Sequence, residues 1–260
     1  MDENQEMQEE KNQDLAEKAS TAVGNVGTPK IKKGLEEPSQ QEDMEIPRAK
    51  LMQSNSPEVL DSQKSGGKLI PGVVINSLTK EVLPEEFVPV FKFTNWVRFN
   101  PKNKDDPNFD PAFDPKAIIW RSKDPNDPKV QEESKWGVNG EPPAATKFLN
   151  FFAYFPGVDM PIVISFCNTS FKAGKKLNSL CQFSKGDAIY ERKYKLKTKE
   201  MSNDKGTFSV FEVKLGGESS PEDYAIADGF YNSFGHKVDS LKIDEESQEG
   251  EFEKKEEWKE

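Results

Sequence analysis

Aromatic and basic side chains alternate along several short apolar runs of this 260-residue chain, and that pairing has a chemistry. A flat ring offers a face on which an unpaired base stacks for roughly 1–3 kcal/mol, while a neighbouring ammonium or guanidinium group meets the phosphate. The run 87–99 carries Phe91, Lys92, Phe93, Trp96, Arg98 and Phe99. Trp120 and Arg121 lie on a second run, and Lys135 with Trp136 on a third. Two lysine groups add candidates for phosphate contact: Lys172, Lys175 and Lys176, and the row Lys193, Lys195, Lys197 and Lys199. Each signal has a plainer reading. A strand aromatic is ordinarily core, and a lysine row is ordinarily a solvated face that guards an edge. Phe148, Phe151, Phe152, Tyr154 and Phe155 are read wholly as core.

Other chemistry is thinner. Ala173-Gly174-Lys175-Lys176 lacks the upstream glycine and the hydroxyl of a phosphate-binding loop. His236 is the single histidine, and Cys167 and Cys181 are the two cysteines, without a C-x-x-C. That set argues against a zinc finger, a disulfide scaffold and a histidine-based catalytic triad. Asp106, Asp110, Asp114, Asp124 and Asp127 each precede a proline. Their spacing does not match a calcium loop, and Asp-Pro is turn chemistry. A Mg²⁺-dependent nuclease built on residues 105–127 stays open as an alternative. The expectation is a protein without enzymatic activity, metal or cofactor.

The elements that would position these groups are mainly strands. Runs at 68–75, 87–99, 118–121, 147–155 and 160–167 are short, apolar and bounded by Pro, Gly, Asn and Asp. The run at 160–167 is continuous enough for a strand buried on both faces. One helix stands out: Thr169 or Ser170 can cap it, and Phe171, Gly174, Leu177, Leu180 and Cys181 share a face. Residues 190–199 alternate, with Tyr190, Arg192, Tyr194, Leu196 and Thr198 on one side and the lysines on the other. Asn203-Asp204-Lys205-Gly206 suits a hairpin turn leading into a return strand at 207–215. Strands, one helix, then a closing hairpin is the order of an OB-like five-stranded Greek-key barrel, whose helix falls between its third and fourth strands. The surplus residues of 46–235 would be extra hairpins and loops.

Charge divides the chain. Residues 1–45 hold 12 acidic and 5 basic side chains, and residues 239–260 hold 10 and 4. The remainder is net +3, although the whole chain is −10. The first 45 residues lack any aromatic and cannot offset the roughly 1–2 kcal/mol per residue that ordering a backbone costs. The expected layout is a disordered acidic segment at 1–45, a β-rich domain at 46–235 and a disordered acidic tail at 236–260. The hydrophobic share is 34%, and 17 glycines bring it to about 41%, below the roughly 45–50% of globular chains. The tail contains Phe252 and Trp258, which a purely solubilising string has no use for. Such a tail can compete in cis for a cationic groove or recruit a partner protein. No run approaches the roughly 20 apolar residues of a membrane helix, and the first ten residues do not read as a secretory signal. The expected location is the cytoplasm.

Ile46-Pro47-Arg48-Ala49-Lys50-Leu51, Gly67-Lys68-Leu69-Ile70-Pro71-Gly72, Thr169-Ser170-Phe171-Lys172-Ala173-Gly174-Lys175-Lys176 and Tyr190-Glu191-Arg192-Lys193-Tyr194 together make the chain familiar. Across roughly 46–215 it resembles tailed-bacteriophage proteins associated with replication and recombination. Its element order and acidic aromatic tail are similar to those of phage OB-fold single-stranded-DNA-binding proteins, except that Trp258 is followed by Lys259 and Glu260. The resemblance implies single-stranded DNA as ligand and phage replication or recombination proteins as partners of the tail. Against it stands a non-catalytic interaction module, with no affinity for oligonucleotides.

Overall fold

The structure, a computed structural model, describes residues 45–67, 69–203 and 206–235. In chain order the elements are β1 (Ala49–Leu51), α1 (Pro57–Lys64), β2 (Val74–Asn76), β3 (Glu86–Phe99), β4 (Ile118–Ser122), α2 (Pro128–Glu133), β5 (Ala145–Tyr154), β6 (Ile162–Phe166), α3 (Phe171–Gln182), β7 (Arg192–Asn203), β8 (Gly206–Glu218) and α4 (Pro221–Phe234). The architecture is mainly β. A six-stranded sheet runs β6-β5-β3-β7-β8, with β4 on the flank of β3, and every pairing in it is antiparallel. β1 and β2 form a separate small pair.

The expected five-stranded barrel is corrected to an open sheet, because among the described residues no pairing joins β6 to β8. Both outer edges are already engaged by other parts of the chain. Beside β6, the Val163 amide donates to the Pro47 carbonyl at 2.9 Å, within a parallel bridge between Arg48 and Val163. Along β8, the Ser209 amide donates to Gln53 Oε1 at 2.9 Å, and Gln53 Nε2 donates back to the Ser209 carbonyl at 2.8 Å. The Phe211 amide donates to Ser170 Oγ at 3.3 Å. Side chains thus stand in for a further strand.

β3 organises the rest. Its pairing with β5 runs from Val88 to Arg98; on its other side Glu86 and Phe87 pair with β7, and Trp96 to Phe99 pair with β4. Phe87, Phe151, Phe166, Tyr194 and Phe211 cover one face, on which Ala173, Leu177 and Cys181 of α3 are laid at four-residue spacing. A Cβ on Gly174 would sit 2.5 Å from Phe166 Cβ, so only glycine allows this approach of helix to sheet. On the opposite face Phe152 and Tyr154 meet Phe230 and Phe234 of α4. Within the run at 160–167, Met160 and Pro161 are half-buried and residues 162–167 are buried, which includes all five residues of β6.

The sequence pattern predicts one helix, and the described residues form four. Their starts are local: Ser220 Oγ accepts the Asp223 amide at 3.1 Å ahead of α4, and Asp127 Oδ1 accepts the Lys129 amide at 2.9 Å ahead of α2. Proline follows the cap at the first position of both helices, where its missing N–H costs nothing. The expected strand at 68–75 reduces to Val74–Asn76, with Gly72 at φ +85° turning the chain before it; Lys68 lies outside the described residues. The tip Asp204-Lys205 of the β7–β8 hairpin also lies outside them.

The aspartates before proline are turn residues. Asp106, Asp110 and Asp124 each accept, at 2.8–2.9 Å, the amide two residues ahead. Asn100, buried, gathers the loop between β3 and β4: its Nδ2 donates to the carbonyls of Asp110, Phe113 and Asp114, and its Oδ1 accepts the Asp110 amide. Among the described residues no three His, Cys, Asp or Glu side chains are grouped to hold a metal ion. None of the described helices is long and apolar enough to cross a membrane.

Two substitutions test this packing. Gly174→Ala is expected to lower unfolding free energy by about 1–3 kcal/mol, read by urea denaturation, because the added methyl overpacks against Phe166. Asn100→Ala, which strands buried carbonyls, is expected to cost about 2–3 kcal/mol and to open residues 101–117 to limited proteolysis.

Candidate nucleic-acid interface

Strand alternation divides the candidates between the two sheet faces. On the face that carries α3, β3 contributes Lys92, Trp96 and Arg98, whose cross-strand partners include Phe151, Lys147 and Trp120. Lys92 Nζ donates to Asn178 Oδ1 of α3 at 2.9 Å, linking the helix to this stripe. Lys147, absent from the residues that the sequence pattern singles out, places its Nζ 5.1 Å from the centre of the Trp96 ring, within cation–π range. Its only sequence signal is its position as the polar residue before Phe148 at the start of a strand.

At the far end of the stripe an acidic group intervenes. Trp120 Nε1 donates to both carboxylate oxygens of Glu133 at 3.3 Å, and Arg98 Nε lies 3.7 Å from the same carboxylate. An Arg98 terminal nitrogen also donates to the Asn108 carbonyl at 3.0 Å. Glu133 of α2 thus ties two expected ligand groups into a structural knot. Trp96 itself is only 7% exposed.

The remaining candidates divide as follows. Lys172, Lys175 and Lys176 are exposed on the outer side of α3, on the same face of the sheet as Lys92. Phe93 is buried on the opposite face, with Lys123 Nζ 5.8 Å above its ring, and Arg121 follows it there. Lys193, Lys195 and Lys197 also stand on that opposite face, because Lys195 pairs with Glu86 while its neighbour Tyr194 pairs with Phe87 on the α3 side. The lysine row is met by carboxylates: Lys193 lies 3.6 Å from Asp223 and 3.7 Å from Glu86, Lys195 3.4 Å from Glu86, and Lys197 3.2 Å from Glu85. Trp96 and Trp120 therefore stand on the face opposite this lysine row: an odd offset along a strand turns a side chain to the other side. Lys135 and Trp136 are exposed on the loop after α2, Trp136 at 67%. Phe252, Trp258 and His236 lie outside the described residues.

A protein-family model described as Pam3 phage gp34-like protein matches residues 16–238. The chain belongs to that family. Its name ties the chain to a bacteriophage and states no activity. Comparison with curated proteins and with solved structures returned no match.

Burial disfavours the thiolate form of both cysteines of this family member. Burial pushes Cys167 up to about 12, with Arg48 pulling weakly the other way. Burial also pushes Cys181 up to about 11, against the opposing pull of the Tyr194 hydroxyl and Lys92. At pH 8 the native chain is expected to react with a maleimide at Cys181 about a hundredfold more slowly than a free thiol of pKa about 8.5, read by mass spectrometry.

Proposed function

We propose that the chain binds single-stranded DNA without sequence readout and acts in phage DNA replication or recombination. The observation that carries the reading is the stripe Lys92–Trp96–Lys147 on one sheet face, beside the exposed lysines of α3. Lys92 to Arg98 spans six residues of extended strand, about 20 Å, a suitable length for a short stretch of backbone. Phosphates would meet Lys92, Lys147, Lys175 and Lys172, and a base would stack at the indole of Trp96 once Lys147 turns to a phosphate. A duplex offers no base face to such a site, which gives the preference for single strands. The resemblance to phage single-stranded-DNA-binding proteins supports the same reading, and membership of a phage family supports only its phage setting. The acidic tail, net −6 over 239–260, would compete for the cationic stripe or recruit a replication or recombination partner.

A second reading, a non-catalytic interaction module, is favoured by the lysine row, whose members are already met by Glu85, Glu86 and Asp223.

Binding of labelled oligo-dT across a salt series separates the two. Each phosphate contact contributes roughly −0.7 to the slope of log K against log salt. Lys92→Glu with Lys147→Glu is expected to weaken binding more than tenfold and to flatten that slope, whereas Lys195→Glu changes it less than twofold. Removal of 239–260 is expected to tighten binding at low salt. Absence of binding at low salt overturns this reading in favour of the interaction module.

A further inference from the structure

The face opposite α3 is covered along only part of its length by a described helix. Tyr154 and then Phe152 meet Phe230, and Phe152 meets Phe234, so α4 travels down β5 towards lower residue numbers and ends at Phe234. Beyond that point the same face continues with a row of polar residues, Ser165 on β6, Asn150 on β5 and Asn95 on β3. All three are buried, at 8%, 0% and 3% exposure. Asn150 Nδ2 donates to Asn95 Oδ1 at 2.5 Å, yet Asn150 Oδ1 and Ser165 Oγ have no hydrogen-bond partner among the described residues. Val97, Phe148 and Cys167 lie next along this face, with Phe99 and Ile118 packed against them. Arg121 and Lys123 of the β4 region border it, Lys123 over Phe93.

We propose that residues 236–246 dock in cis across this half of the face as extended chain that runs on from the end of α4. Three observations favour that segment. The helix is aimed along the sheet at the row, and the segment begins where the helix stops. Eleven residues reach up to about 36 Å, more than the roughly 26 Å of strand between Phe91 and Phe99. Its composition is complementary: Val238, Leu241 and Ile243 suit the rings of Phe93, Phe99 and Phe148, and Asp239, Asp244, Glu245 and Glu246 suit Arg121 and Lys123. Backbone amides of the docked segment would donate to Asn150 Oδ1 and Ser165 Oγ, which otherwise carry the cost of buried acceptors without a donor. The segment preceding Glu45 is the less suitable occupant, since it enters beside β6 through Pro47, on the side of the sheet away from Arg121 and Lys123. The docking does not rest on the nucleic-acid reading. Its consequence is that only the remainder, 247–260, with six acidic and three basic side chains, stays available to recruit a partner or to reach around the sheet towards Lys92 and Trp96.

Hydrogen exchange on the unaltered full chain, without oligonucleotide, is the direct test. Amides of 238–244 are expected to exchange at least about tenfold more slowly than those of 250–260. Equal rates overturn the proposal, as does slow exchange confined to residues 1–44. A second readout uses the cysteines, which lie on opposite faces, Cys167 under the proposed segment and Cys181 in α3. Leu241→Asp with Ile243→Asp, or Arg121→Glu with Lys123→Glu, is expected to raise maleimide labelling of Cys167 more than tenfold and leave Cys181 unchanged. Unchanged labelling of Cys167 in both variants contradicts the docking. Should Cys181 rise as well, the variant has unfolded, and the exchange rates of the unaltered chain then decide between docking and its absence.

Discussion

β3 exchanges backbone hydrogen bonds with β5 over nearly its whole length, but its other side is divided between β7 at Glu86 and Phe87 and β4 from Trp96 onward. A strand has two sides for pairing, and a 14-residue strand is long enough to serve different neighbours at its two ends. That division makes the sheet part around β3, leaves α3 and α4 to cover different faces, and rules out closure by the β7–β8 hairpin among the described residues. It also decides which side chains can meet. Lys92, Trp96 and Arg98 are fixed together by their even spacing on one strand, whereas the lysines of β7 are turned the other way by the pairing of Tyr194 with Phe87.

Charge follows from the same geometry. The body is mildly basic by composition, yet much of the visible lysine density is engaged by Glu85, Glu86 and Asp223. Such partly exposed pairs contribute little to stability, roughly 0–1 kcal/mol each. Their larger effect is on the field: a carboxylate within 4 Å cancels most of what a lysine projects into solvent. On the α3 side Lys92 has an amide as its partner, which leaves its charge intact.

Strand identity is legible wherever alternation or a continuous apolar run is long. Residues 87–99, 118–121 and 147–155 foretell β3, β4 and β5 to within two residues, and Leu177 and Cys181 foretell α3. The other three helices escape the pattern. α1 and α2 are too short for their periodicity to speak, and their caps look like ordinary loop residues. α4 has a readable start in Ser220-Pro221-Glu222-Asp223, but its apolar positions are diluted by Asp228 and Asn232, and it abuts the acidic end. Pairing order is legible only for the β7–β8 hairpin, which the turn residues at 203–206 announce. Nothing in the sequence around Glu86 announces that two residues suffice to bring in β7, and this pairing determines which face each lysine occupies. Lys147 and Glu133 escape for a related reason: their importance lies in reaching Trp96 and Trp120 across strands, a relation with no local signature. Asn100 is similar, a single amide whose four contacts reach 10 to 14 residues ahead.

The side-chain amide of Gln53 presents β8 with a donor and an acceptor arranged like those of a peptide group. To an approaching second molecule, the rim of the hairpin at Ser209 and Phe211 is already spoken for. An antiparallel sheet that ends in 13 residues of strand would otherwise be a template for growth by like copies. A glutamine amide and a serine hydroxyl thus occupy hydrogen-bonding groups at Ser209 and Phe211 that a second copy would need in order to add a strand there.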